Sequence, residues 1–290
     1  MHTFDCMSAP ELNESEIIDY YDHCQVDYAL VWQLDEVLCM HYGFWDDDIP
    51  HHRAALQNMN KQVAEAAGIK PGMRVLDAGC GVGGPSIFLA SQGCMVEGIT
   101  LSEKQVATCT ENAKRLGVDK QVHFSRQNYL ATSFPDESFD VVWAIESVCY
   151  AWDKADFTRE AFRVLKPGGR LVVADFFSAP VTPGSAEDLL MKKWTDAWAI
   201  KSYATVDEFN HALSIAGFSH LRDQNITQKV TPSIRRLYMS FFPGIITTKV
   251  AEWIGVRNQI QTKNTWSTYY QYQAFKKHLW EYHIFSAQKE

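Results

Sequence analysis

The fold is decided by one stretch, Val75-Leu76-Asp77-Ala78-Gly79-Cys80-Gly81-Val82-Gly83-Gly84-Pro85. It begins as a hydrophobic strand, reaches an acid and enters a glycine-rich turn that opens a helix. Glycines at 79, 81 and 83 allow the backbone to pass within contact distance of a ligand, where a side chain would collide. The stretch therefore predicts a strand, a cofactor-binding turn and a helix.

The same unit of strand and helix recurs along the middle of the chain. Short apolar or β-branched runs bounded by Gly or Asp predict strands at 74–78, 95–100, 122–127, 139–145 and 170–176. This rhythm is typical of a parallel sheet with helices on both faces, which is a Rossmann-like α/β fold. Two later runs, 218–227 and 281–288, are further predicted strands, and the helical insertion between them is too apolar to be a simple connector.

The N-terminal part is predicted to be helical. A capping pattern at Asn13 and Ser15 precedes apolar residues at helical intervals over 15–40, and a second helix is expected over 53–67, ending at Gly68. We expect residues 1–60 to form a lid and 61–227 the Rossmann-like core, with a substrate-cap segment near 180–205. Residues 228–290 are expected to supply a helical cap insertion and the final strand.

Composition excludes several classes of protein. The 290 residues are 46% apolar and 21% charged, as in ordinary globular proteins. A net charge of -8 argues against a basic surface that would bind nucleic acid. The N-terminus lacks the basic start and apolar run of a secretion signal, and no segment is long enough to span a membrane, so a cytoplasmic protein is expected. Seven scattered cysteines predict free thiols and no zinc site.

The glycine spacing by itself fits two cofactors. Gly79, Gly81 and Gly84 satisfy the pattern of dinucleotide binders, so NAD and S-adenosylmethionine (SAM) compete on spacing. The second strand ends on Thr100, where a dinucleotide binder commonly has an acid for the ribose. Asp77 suits a ligand with an ammonium better than one with a pyrophosphate, so these features favour SAM.

Five motifs together resemble the class I SAM-dependent methyltransferases, in particular the branch with tocopherol, sterol and prenyl-diphosphate methyltransferases. The resemblance covers residues 15–227 and implies a seven-stranded sheet with SAM as cofactor. The motifs are Asp77-x-Gly79-x-Gly81-x-Gly83, Gly98-Ile99-Thr100-Leu101-Ser102, Phe134-Pro135-Asp136-Glu137-Ser138-Phe139-Asp140, Ala144-Ile145-Glu146-Ser147-Val148-Cys149-Tyr150 and Leu165-Lys166-Pro167-Gly168-Gly169.

The resemblance also implies which residues bind the cofactor. Thr100 and Asn128 stand where many relatives have carboxylates, which implies neutral hydrogen bonds there. Tyr150 stands where this branch often has His, so one proton acceptor is absent. The expected cofactor-binding residues are Asp77, Gly79, Gly81 and Gly83 in the turn, and Thr100, Leu101, Gln105, Asn128, Tyr129 and Ile145 around it.

The expected acceptor is small and apolar, because 13% of the residues are aromatic. The resemblance implies methylation of a carbon of an isoprenoid-like or sterol-like acceptor, and rings can stabilise the carbocation that forms there. The alternatives are O- or N-methylation of an aromatic or alkaloid-type small molecule and a non-catalytic SAM-binding module. The loop 40–52 also carries three carboxylates and several imidazoles, yet a solvated turn is favoured over a metal site. Candidate catalytic residues are Glu146, His41 and Tyr21, and candidate substrate residues are Tyr42, Phe44, Trp45, Tyr150, Trp194, Trp198 and Phe241. The sequence is compatible with a monomer and with a homo-oligomer.

Overall fold

The computed structural model describes residues 14–32 and 34–290, so Cys6, the predicted cap Asn13 and the first part of the predicted lid lie outside the described residues. The strands in the described part are β1 Arg74–Ala78, β2 Met95–Thr100, β3 Val122–Arg126, β4 Phe139–Ile145, β5 Leu165–Ser178, β6 Ser219–Asn225 and β7 Trp280–Gln288. They form one seven-stranded sheet in the order β3-β2-β1-β4-β5-β7-β6. The strands from β3 to β5 run parallel, and β7 is antiparallel to β5 and β6. The predicted Rossmann-like seven-stranded fold is confirmed.

The helices in the described part are α1 Glu14–Trp32, α2 Leu34–Val37, α3 His52–Ala67, α4 Gly84–Ser91, α5 Glu103–Arg115, α6 Lys154–Val164, α7 Ala186–Ala197, α8 Val206–Ala216, α9 Thr227–Trp253 and α10 Gln259–Lys276. The predicted N-terminal helical segment corresponds to α1 and α2. The second predicted helix is α3, which ends where Gly68 adopts a φ of 64° that favours glycine. The apolar insertion before the last strand folds as α9 and α10, which pack on each other.

The core consists of two apolar layers, one on each face of the sheet. Trp143 and Ile145 of β4 belong to one layer, while Val142 and Ala144 belong to the other. Successive side chains of a strand point to opposite faces, so a strand covered by helices on both sides must be apolar throughout. This explains why the central strands could be recognised as short uninterrupted apolar runs.

The sheet positions a site at the carboxyl ends of its central strands. β1 lies between β2 and β4, and the chain order reverses there, which is where sheets of this type bind ligands. Above this edge, α10 packs against α1, α7 and α9, so these four helices form a cap. None of the described helices combines the length and apolar character that a membrane span requires.

Candidate active site

The first cavity lies where β1, β2 and β4 end, beneath α1. Gly79 and Gly81 line it with backbone, and Gly81 has a φ of 54°, with only the Met40 Cε, 3.7 Å away, near the position of an added Cβ. A ligand can therefore approach this backbone closely. Eight of the ten expected cofactor-binding residues line the cavity: Gly79, Gly81, Thr100, Leu101, Gln105, Asn128, Tyr129 and Ile145.

Asp77 does not line this cavity, contrary to expectation. Its carboxylate accepts a hydrogen bond from the Ser86 hydroxyl at 2.5 Å and another from the Ser86 backbone N–H. Burial raises the pKa of Asp77 to about 7. The carboxylate thus accepts from a backbone N–H in the first turn of α4 that has no partner within the helix, and it connects this helix to β1. An acid at this position of the motif can either cap the following helix or bind a ligand, and the sequence motif does not distinguish these two roles.

Gly83, another expected cofactor-binding residue, also lies outside the cavity lining. It has a φ of 91° and precedes α4, and an added Cβ would lie 3.2 Å from atoms of Cys109 and Phe124. The glycine is needed here for its backbone conformation and for close packing on α5 and β3. It does not line the cavity.

Helix α1 is tied to the rim of the first cavity by two polar contacts. Asn128 Nδ2 donates to Glu14 Oε1 at 2.8 Å, and Ser102 Oγ donates to Asp22 Oδ1 at 3.0 Å. Ser102 also caps α5 by accepting from the Gln105 N–H. The contacts hold α1 against the rim of this cavity.

Among the acids that line the first cavity, Glu146 has the most strongly raised pKa. It follows β4 with a φ of 49°, which is unusual for a residue other than glycine and is typical of functional sites. Its Oε1 accepts from the Tyr42 N–H at 2.6 Å and from the Tyr282 hydroxyl at 2.8 Å. Burial nevertheless raises its pKa to about 8. The carboxyl is mostly protonated at neutral pH unless a positive charge lies nearby.

His41 lines the first cavity as a neutral imidazole. Its Nδ1 lies 2.9 Å from the Tyr42 carbonyl oxygen, which can only accept, so this nitrogen carries the proton. Burial lowers the pKa of the ring to about 4. Nε2 therefore keeps a lone pair that can accept a proton.

A second cavity of about 340 Å³ adjoins the first and lies beneath the cap. Tyr21, Met40, Glu146 and Tyr150 line both cavities, so they surround the junction. The Tyr21 hydroxyl donates to the Tyr150 hydroxyl at 3.1 Å. All three predicted catalytic residues thus line the first cavity, and two of them, Glu146 and Tyr21, also line the second. We call the first the cofactor cavity and the second the acceptor cavity.

Four of the seven predicted substrate residues line the acceptor cavity: Tyr42, Tyr150, Trp198 and Phe241. The other three do not. Phe44 is buried in the core beside α3, and Trp45 donates its indole N–H to Ser233 Oγ at 2.9 Å. Trp194 is fully buried and packs on Trp198 and other rings. Aromatic content predicted an apolar pocket, but tertiary packing used part of these rings to build the core.

Several residues of the acceptor cavity escaped the sequence analysis. Tyr28 lies two helical turns after Tyr21, and this spacing on α1 could have revealed it. Asp27 and Arg257 form a bidentate ion pair with both N–O distances at 2.8 Å, and no local signal connects two residues so far apart in sequence. Hydroxyl and amide side chains also line the cavity: Ser240, Thr247, Thr248, Asn264, Thr265 and Thr268.

The loop 40–52 does not gather its acids and imidazoles. His41 is buried over the cofactor cavity, His52 stacks on Trp45, and Asp46 pairs with Lys229. Within residues 14–32 and 34–290, no three His, Cys, Asp or Glu side chains are arranged to hold a metal ion.

The chain is similar in sequence to known methyltransferases. Residues 76–173 match the family model described as a methyltransferase domain. The chain is 34% identical to 27-O-demethylrifamycin SV methyltransferase of Amycolatopsis mediterranei, over 67% of this chain and 71% of the relative. It is 40% identical to 2-methyl-6-phytyl-1,4-hydroquinone methyltransferase of Synechocystis, over 51% of this chain and 47% of the relative.

Two solved structures share the fold across nearly the whole chain. The [4+2]-cyclase SpnF is 24% identical with a TM-score of 0.78, covering 95% of this chain and 96% of SpnF. Geranyl diphosphate methyltransferase with geranyl diphosphate and sinefungin is 20% identical with a TM-score of 0.76, covering 96% of this chain and 99% of that protein.

Proposed function

The chain belongs to the class I SAM-dependent methyltransferases, and we propose that it methylates a neutral, largely apolar small molecule, at a carbon of an isoprenoid-like or sterol-like acceptor. SAM supplies an electrophilic methyl group bound to a sulfonium. The observation that carries the proposal is the junction at which Tyr21, Glu146 and Tyr150 border both cavities. An acceptor held there is kept close to the cofactor, and such positioning can supply much of the acceleration.

The charges of the acceptor cavity favour a neutral acceptor. Among the described residues that line it, Arg257 is the one basic side chain, and Asp27 neutralises it. Glu146 adds no positive charge to the cavity, whether its carboxyl is protonated or ionised. A diphosphate in this cavity would therefore be desolvated without a compensating positive charge, which is costly.

The rings around the junction favour carbon as the methylated atom. Attack by an alkene forms the new carbon–carbon bond while the carbon–sulfur bond breaks, and it leaves a carbocation on the acceptor. The faces of Tyr21, Tyr28 and Tyr150 can stabilise that cation. The carboxylate of Glu146 can then take the proton whose loss restores the alkene. None of the described residues lining the acceptor cavity is a lysine or histidine, and burial raises the pKa of the Cys149 thiol, which does line it, so this thiol stays protonated and weakly nucleophilic.

O-methylation is the second candidate, and the hydroxyl and amide side chains around Asn264 favour it because they can orient a polar acceptor. Glu146 or His41 would then take the hydroxyl proton.

The test uses the pure protein, methyl-labelled SAM and four acceptor classes: an isoprenoid alcohol, its diphosphate, a sterol and a phenol. We expect label on a carbon of a neutral alkene, located by NMR. Glu146→Gln should lower turnover by about two to four orders of magnitude, the usual range for losing a general base. Label on oxygen alone would select the second candidate. Transfer to the diphosphate in preference to the alcohol would contradict the neutral-acceptor argument.

A further inference from the structure

Helix α9 exposes an apolar stripe to solvent. Its members recur every three or four residues, which places them on one face of the helix. They are Met239, Phe242, Ile246, Val250 and Trp253. Ile254 and Val256 continue the stripe into the turn before α10, where Trp253 is 86% and Val256 71% exposed. We call these seven residues the α9 stripe. Contiguous exposed apolar surface of this kind marks an interaction site.

The opposite face of the same helix serves the acceptor cavity. Leu237, Phe241 and Thr248 lie about half a turn away from the stripe and line that cavity. The stripe is therefore not needed for the core, and only one helix separates it from the cavity.

Charge is distributed unevenly between residues 227–277, which contain α9 and α10, and the rest of the chain. The whole chain has a net charge of -8, yet residues 227–277 contain eight basic residues and one acidic residue, Glu252. Three of the basic residues pair with carboxylates outside this segment, and four others are exposed. The exposed four are Arg235, Lys249, Lys263 and Lys276. Arg235 and Lys249 lie on α9 itself, close to the stripe along the helix.

We propose that the α9 stripe docks peripherally on an anionic lipid bilayer. Amphipathic helices bind such surfaces by burying an apolar face at the headgroup boundary while basic side chains contact the anionic lipids, and Trp favours this interface. A second copy of the chain fits less well, because a symmetric pair formed through the stripe would bring the two basic 227–277 segments together. Docking would place the acceptor cavity one helix away from the phase in which apolar molecules dissolve.

The test measures cosedimentation of the full chain with vesicles. One set is phosphatidylcholine alone, and the other is an equal mixture of phosphatidylcholine and phosphatidylglycerol. We expect binding to the mixed vesicles that weakens as salt is added, because exposed charges are screened. Trp253→Ala combined with Val256→Ala should weaken binding at least about tenfold, since each change removes buried apolar area. The charge variant Lys249→Glu with Lys263→Glu should weaken it as well.

The control is Ile215→Ala, which removes a 66% exposed apolar side chain on α8, away from the stripe. It should bind vesicles like the parent protein. All variants should bind SAM like the parent, because none of the changed residues lines either cavity. Equal binding by the parent and the Trp253→Ala, Val256→Ala variant would overturn the proposal, as would a parent that binds neither vesicle. A parent dimer that this variant dissociates, without vesicle binding, would assign the stripe to self-association instead.

Discussion

Binding of SAM should release a proton from Glu146. Burial holds the pKa of this carboxyl at about 8, so at pH 7 about 0.9 of the molecules carry the proton before binding. A unit positive charge about 6 Å away in a medium of effective dielectric constant about 20 favours the carboxylate by about 3 kcal/mol, a factor of about 100 in its protonation equilibrium. The protonated fraction should then fall to about 0.1, a release of about 0.8 proton.

S-adenosylhomocysteine provides the matched comparison, because it lacks the positive charge on sulfur. Calorimetric titrations in two buffers of different ionisation enthalpy give the number of protons released by each ligand. We expect SAM to release more protons than S-adenosylhomocysteine from the parent protein. In Glu146→Gln this difference should disappear, since the amide keeps the shape and cannot titrate.

Two results would refute the reasoning. Equal proton release for the two ligands in the parent protein would mean that Glu146 does not respond to the sulfonium. A difference that persists in Glu146→Gln would assign the titration to another group. Asp77, whose pKa is raised to about 7, is then the next candidate, although it does not line the cavity.

Four further predictions follow from the contacts of single residues. Tyr282→Phe removes a hydrogen bond that lowers the pKa of Glu146, so the rising limb of the pH–rate profile should move to higher pH; an unchanged profile would show that the contact is not kept during turnover. Because the pKa of Glu146 is raised from 4.5 to about 8 on folding, the protonated form is favoured in the folded protein. The free energy of unfolding should therefore fall between pH 7 and pH 8 in urea titrations, and less steeply in Glu146→Gln. Trp194→Ala should lower the free energy of unfolding by about 3–5 kcal/mol, whereas Trp198→Ala should raise the acceptor KM with little change in SAM affinity. Gly81→Val should weaken SAM binding at least about tenfold in calorimetry, because it adds a branched side chain at positive φ on the cavity wall, and unchanged affinity would move the cofactor elsewhere.

Local patterns in the sequence were sufficient for the central strands and the cofactor turn. The bounds predicted for β1, β2 and β4 agree with the structure, because strands buried on both faces leave an uninterrupted apolar run between turn residues. Gly79 and Gly81 line the first cavity, and a turn that needs open backbone can be recognised from its own residues. The antiparallel pairing of β7 with β5 depends on partners far along the chain.

The acceptor cavity was decided by tertiary structure. Trp194 and Trp198 are close neighbours in sequence with the same chemistry, yet one is fully buried among rings and the other lines the cavity. Asp27 and Arg257 are 230 positions apart, and only the packing of α1 against α10 brings their charges together. Periodicity and turn chemistry depend on a residue's near neighbours in the sequence. The sequence alone was therefore sufficient to predict the central strands and the glycine-rich turn after β1. Which side chains face a cavity depends on how helices pack across long separations, and that was settled only in the folded molecule.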